Sequence, residues 1–143
     1  MTKRFKLIAS LYILLIRNGK ILLLRRFNTG YEDGKYSVPA GHLEAHETLI
    51  QGLRREVREE IGIVLDSGNI SLVHIMHRKH LDERIDYFFT AEKWTGTPKN
   101  MEPEKCDDLK WFDIDTLAPN TIPYIRTAIR NFKKNILYSE FGW

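Results

Sequence analysis

The chain has a single cysteine, Cys106, among 143 residues, and that scarcity excludes several kinds of protein. No intrachain disulfide can form, so disulfide-stapled secreted scaffolds are ruled out and a reducing compartment fits better. No Cys/His pair has the spacing of a structural zinc site. Long apolar runs are missing too. No stretch approaches the roughly eighteen apolar residues that a membrane-spanning helix needs. Repeats, low-complexity tracts and linkers are absent, and a chain of this length suits one domain with a sizeable core. An excess of one charge is also lacking: 22 basic residues against 19 acidic ones leave a net +3. That suits an anionic small molecule but is too dilute for a nucleic-acid surface. No triad-like nucleophile is evident.

What is present is a succession of strands and two helices. The start, "MTKRFKLIASLYILLI", has the basic-then-apolar look of a secretory signal. Yet no small-residue cleavage site follows, and "RNGKILLLRR" resumes with a second apolar run. Asn18-Gly19 between the runs is a hairpin signal. The expectation is an opening hairpin, residues 7–17 against 20–26, in a cytoplasmic protein. "NTGYEDGK" (28–35) reads as a polar loop, and "YSVPAGHLE" (36–44) as a short strand broken at Pro39 and Gly41. Over 47–61, Leu49, Ile50, Leu53, Val57 and Ile61 recur at spacings of three and four, the period of an amphipathic helix. Gly62 supplies its stop. Strands are expected at 71–79, 84–94 and 109–114, a charged loop at 95–105, and a closing helix at 122–136 opened by Pro123. This order predicts an α/β (α+β) domain, a mixed β-sheet sandwiched between helices, across residues 1–143.

The chemistry concentrates in "RREVREEIG", residues 54–62. Glu56 and Glu60 fall one helical turn apart, where like charges repel by a few tenths of a kcal/mol, roughly 0.2–0.5. On a helical wheel Leu53, Val57 and Ile61 form the buried stripe, and Glu56, Glu59 and Glu60 share the neighbouring edge. Arg55 stands one turn before Glu59 and can pair with it; Arg54 and Arg58 point elsewhere. Clustered carboxylates suit a hard cation such as Mg²⁺, which would turn the repulsion into attraction. A solvated charged face is the competing reading of an isolated cluster. Residues upstream decide between them. From Gly41 the chain reads G-x5-E-x7-R-E-U-x-E-E-x-G-U, with U apolar, and all nine fixed positions over 23 residues are filled.

That pattern resembles the signature box of the Nudix (MutT-like) hydrolase family, and the order of strands and helices is similar over about residues 5–136. The resemblance implies the Nudix fold and hydrolysis of a small nucleotide, a nucleoside diphosphate joined to another group, with Mg²⁺ or Mn²⁺. It implies metal ligation by Glu56, Glu59, Glu60 and the Gly41 carbonyl, with Glu59 and Glu60 the firmer ligands and Glu56 a candidate general base. Arg55 would orient the glutamates and Glu47 would pair with Arg55. A nucleoside triphosphate is the leading substrate expectation. An ADP-ribose or sugar-nucleotide pyrophosphatase, or a catalytically weak sensor module, is the alternative. Sensors of similar sequence commonly lose box glutamates, whereas this chain keeps them all. No stable nucleic-acid or membrane partner is expected; homodimers are frequent among similar proteins.

Two positions depart from the common form. Ala40 precedes Gly41 where a second glycine is usual, and His46 stands where glycine is frequent; His46 is expected to cap or pack. For the substrate, Glu102 or Glu104 would add a later acid to the metal cluster. Arg26, Arg78 or Lys79 would meet phosphates. Asn120 offers both donor and acceptor to a base, and Tyr31, Tyr124 or Phe27 could stack on one. Pro123-Tyr124-Ile125 lacks the paired acids that vertebrate 8-oxo-dGTP hydrolases carry after this proline, so oxidised-purine sanitation is not expected.

Overall fold

A computed structural model describes residues 3–143; Met1 and Thr2, the first residues of the signal-like stretch, lie outside it. Two sheets pack between two helices, as expected. The larger sheet is mixed, in the order β11-β7-β8-β1-β5. Its strands are β1 (Ile8–Leu14), β5 (Ala40–His42), β7 (Ile70–Lys79), β8 (Glu83–Ala91) and β11 (Tyr138–Phe141). Strand β1 runs parallel to β8, and β11 parallel to β7; the other pairs are antiparallel. The second sheet is antiparallel. Its central strand β3 (Lys20–Arg26) pairs with β10 (Cys106–Asp113), β2 (Ile16–Arg17) and β4 (Tyr36–Ser37). A small ladder joins β6 (Val64–Leu65) to β9 (Trp94–Thr95).

The opening hairpin is largely corrected. The two apolar runs do not pair along their length: β1 joins the five-stranded sheet, and only Ile16–Arg17 pairs back on β3. Both runs lack polar alternation because each strand is buried on two faces through its middle. Along β1 and the residue after it, Leu11, Ile13 and Leu15 enter one core while Tyr12 and Leu14 enter the other. A hairpin with one wet face would have alternated.

Helix α1 (Leu49–Ile61) starts two residues later than the periodicity suggested, because Thr48 caps it. The Thr48 hydroxyl accepts from the Gln51 N–H, and the Gln51 side chain returns the bond to the Thr48 N–H, a capping box. Gly62 ends it in the left-handed conformation, φ 72°. Its buried stripe, Leu53, Val57 and Ile61, packs into the core that holds Leu11, Ile13 and Leu15. Helix α2 (Pro123–Lys133) covers the other core through Ile125, Ala128 and Ile129. It stops three residues early, and the chain turns at Asn135, φ 57°, into β11. A four-residue edge strand carries too little pattern to have been expected.

Candidate active site

A cleft of about 740 Å³ opens where four segments meet. These are the β5 strand, the edge of α1, the loop after β3 and the tip of the β7–β8 hairpin. The break at Pro39 frees β4 and β5 to join different sheets, and this brings Gly41 over α1. A Cβ at Gly41 would overlap the Glu56 carboxyl group. Glycine is needed there because a carboxylate occupies the space a side chain would take.

Arg55 organises the acids. Its Nε and Nη2 donate to the two oxygens of Glu47 at 3.0 and 2.7 Å, and Nη2 also reaches the His42 carbonyl at 3.1 Å. Nη1 donates to Glu56 at 2.7 Å and lies 3.5 Å from both Glu59 and Glu44. The fork from Arg55, helped by the Glu44 N–H, holds the Glu47 carboxyl down to about 2. Glu56 goes the other way: burial pushes its carboxyl up despite the Arg55 bond. Glu60 is the most displaced of the acids. Burial raises it to about 8, although part of its side chain still faces the cleft, and a single N–H from Ala40 at 3.2 Å opposes the rise. Glu56 and Glu102 add repulsion.

This donor set fits a hard divalent cation. Glu56, Glu59, Glu60 and Glu102 all line the cleft; the Arg55 guanidinium that reaches Glu56 and Glu59 is shared with Glu47, and Arg26, also in the lining, donates to the Tyr31 carbonyl and the Thr29 hydroxyl. Buried carboxylates lacking counter-charge are costly, and a cation is the group that relieves them. Among the described residues no three His, Cys, Asp or Glu side chains close around a single point.

The cleft collects some of the expected substrate residues and leaves others out. Arg26 and Tyr31 line it. The Arg26 guanidinium is engaged by the loop, donating to the Tyr31 carbonyl at 2.7 Å and the Thr29 hydroxyl at 3.1 Å. Arg78 and Tyr124 line it too. Glu102 takes the place allowed to either acid; Glu104 lies outside the lining, one of the corrections. Asn120 is another: its amide donates to the Gly34 carbonyl at 2.8 Å, fastening one loop to another. Lys79 sits over the Trp143 ring, and half-exposed Phe27 is outside the lining. His46 neither caps nor packs; it is exposed at φ 67°, a conformation that explains why glycine would suit the position.

One arrangement escaped the sequence reading. Tyr12 donates to Asp86 at 3.0 Å, and its hydroxyl is 3.2 Å from that of Tyr124. Arg78 donates to Asp86 at 2.6 Å and stacks 3.7 Å over the Tyr124 ring. Asp86 and Arg78 are 0% and 4% exposed. The available signal was one aspartate in the apolar run "IDYFF".

Comparison with known proteins identifies the family and the fold. The model of the NUDIX domain matches residues 6–133. An oxidized purine nucleoside triphosphate hydrolase from Danio rerio is 32% identical over 111 residues, 73% of this chain and 65% of that protein. The NAD-capped RNA hydrolase NudC of Pseudomonas aeruginosa is 31% identical over 126 residues, 88% of this chain but 42% of that one. The chain thus spans less than two thirds of the length of either relative. The crystal structure of a MutT NUDIX hydrolase from Burkholderia pseudomallei superposes with a TM-score of 0.81 at 24% identity, covering 88% of this chain and 98% of that one. It shares the fold.

Proposed function

The chain belongs to the NUDIX family, and from that premise we propose that it is a Mg²⁺- or Mn²⁺-dependent hydrolase of the diphosphate linkage in a nucleoside diphosphate-X substrate, first of all a (deoxy)nucleoside triphosphate. The observation that carries this reading is geometric: Glu56, Glu59, Glu60 and Glu102 open onto one cleft, with Glu56 packed against Gly41 and held by Arg55. Burial raises the Glu60 carboxyl to about 8, so it holds a proton near neutral pH in the metal-free protein, and a bound cation would take that proton's place. The triphosphate preference draws support from the name of the Danio rerio relative. A cytoplasmic location goes with it, in keeping with the single free thiol of Cys106.

Glu56, Glu59 and Glu60, with Glu102 and the Gly41 carbonyl, are the groups that would hold the cation. When bound, a divalent cation neutralises charge on the diphosphate oxygens and lowers the pKa of a coordinated water. Arg55 holds one oxygen of Glu56 at 2.7 Å, which orients the carboxylate while leaving the other oxygen beside Gly41. From there Glu56 can take the proton of a water attacking phosphorus. The new O–P bond forms as the bridging P–O bond breaks, and the diphosphate or phosphate departs with the bonding electrons. No enzyme-bound ester is involved.

The test is a panel of nucleoside triphosphates, ADP-ribose, sugar nucleotides and dinucleoside polyphosphates, scored for phosphate and pyrophosphate release with and without Mg²⁺. Release from triphosphates that is lost in Glu59→Gln is the expected result. Full Mg²⁺-dependent release by Glu59→Gln would overturn the metal assignment, and nucleotide binding without release by the unaltered protein would favour a sensor.

A further inference from the structure

We propose that a hollow on the far flank of α1 from the glutamates is a second ligand site, and that it takes a nucleoside monophosphate. Arg17, Arg54, Lys93 and Trp94 build it, and it shares no residue with the cleft of the carboxylates.

The small β6–β9 ladder makes its floor. Leu65 pairs with Trp94 and Val64 with Thr95, and the Asp66 N–H extends the ladder to the Lys93 carbonyl at 3.1 Å. Helix α1 lies alongside. On its wheel Arg54 falls on one flank of the buried stripe Leu53, Val57 and Ile61, while Glu56, Glu59 and Glu60 fall on the other. The Arg54 Nε donates to the Leu65 carbonyl at 2.9 Å, which ties the helix to the ladder. The hollow between them encloses about 440 Å³, within the roughly 300–1,000 Å³ of small-molecule sites.

Three cations meet here without a counter-charge. Arg54 and Lys93 line the hollow, and Arg17 joins them through the Trp94 ring, which its guanidinium covers at 3.9 Å from the centroid. Among the described residues none of the three makes an ion pair. Arg54 spends only its Nε, so both terminal nitrogens are free to donate. The one acid in the lining is Asp66, and its Oδ1 already accepts the Gly68 N–H at 3.0 Å. Three positive groups against one negative leave +2, and a recess lined by one sign of charge concentrates the opposite ion.

Charge and shape choose the ligand. A phosphate monoester carries about −1.5 to −2 at pH 7, which balances that surplus. Its oxygens can take the free Arg54 and Lys93 donors together with the Ser67 and Thr95 hydroxyls of the lining. The ring of the ligand goes to Arg17. That side chain is exposed, so the guanidinium has one face on Trp94 and the other open. A nucleobase laid on the open face completes a base–guanidinium–indole stack. Inorganic phosphate would leave the stack unused, and an uncharged nucleoside would leave the cations unpaired.

The experiment is an NMR titration of the ¹⁵N-labelled full chain in EDTA, with AMP, adenosine and inorganic phosphate as the probes. AMP should shift the Trp94 indole N–H and the Ser67 and Thr95 amides, and should bind at least about tenfold more tightly than either other probe. Lys93→Gln should weaken AMP at least about threefold and leave adenosine unchanged. Arg17→Met should bring AMP to within about threefold of phosphate. Both side chains are exposed and unpaired, so the fold should tolerate either change. Absence of AMP binding, AMP shifts confined to the glutamate cleft, phosphate or adenosine binding as tightly as AMP, or AMP affinity unchanged in either variant would overturn the site. None of these readouts involves hydrolysis, so the site stands or falls separately from the reaction in the cleft.

Discussion

Gly41→Ala separates function from stability more sharply than any other single change. Gly41 is not among the residues at positive φ, so its backbone accepts alanine without strain. The added methyl nevertheless lands on the Glu56 side chain, with Cδ, Oε2 and Cγ all inside the 3.0 Å that real Cβ atoms keep and well short of the 3.4 Å where ordinary contact begins. The obstacle is a flexible side chain, so the fold can yield by moving the carboxylate. Regaining contact distance takes a shift of roughly 1 Å or more, and a misplacement of about that size can cost on the order of 100-fold in rate. A 100-fold loss corresponds to about 2.7 kcal/mol of transition-state stabilisation. Stability should change little: alanine narrows the unfolded ensemble by about 0.4–1 kcal/mol, which offsets part of the loosening of the mostly buried Arg55–Glu56 contact. The assay is steady-state Mg²⁺-dependent hydrolysis beside a thermal melt. A kcat within threefold of the unaltered protein would refute the claim that Glu56 must sit against Gly41. A fall in Tm of more than about 5 °C would show that the residue is structural instead.

Arg55→Lys should lower both stability, by about 1–3 kcal/mol, and activity, since an ammonium cannot reproduce the fork to Glu47 while also holding Glu56 and the His42 carbonyl; urea denaturation and hydrolysis rates check this. In metal-free protein Glu60, with its folded pKa raised from 4.5 to about 8, binds a proton that the unfolded chain has already released between those values. Stability should therefore fall as pH rises from about 4.5 to 8. Glu60→Gln should flatten that decline in melts recorded in EDTA while abolishing hydrolysis. Glu47 has the opposite sign: its pKa is lowered from 4.5 to about 2, so its contribution is present above 4.5 and is lost on acidification toward 2. Thr48→Ala removes the helix cap and should cost about 1 kcal/mol, read as a lower urea midpoint with unchanged Mg²⁺ dependence.

By itself the sequence determined the helix that carries the acids, because a 3.6-residue period and a terminal glycine are local properties. It also specified Gly41, Glu47 and Arg55 at set distances from the glutamates, and the Arg55–Glu47 pairing that the family resemblance implied is present. Tertiary structure alone decided which apolar run paired with which. A strand buried on both faces shows no alternation, so β1 and β3 looked like partners until the two cores claimed opposite sides of each. It likewise decided that Glu102 and not Glu104 faces the cleft, and that Asn120 ties loops together, since loop side chains follow no period. The pairing of Arg78 with Asp86 belongs to the same class. Two charges eight residues apart become neighbours only because β7 and β8 are joined by a tight turn and pair antiparallel, Arg78 opposite Arg84. The clustered acids were legible because one helix holds them; the cleft residues Tyr12, Arg78 and Tyr124 were not seen to be neighbours, because three elements have to meet to bring them together.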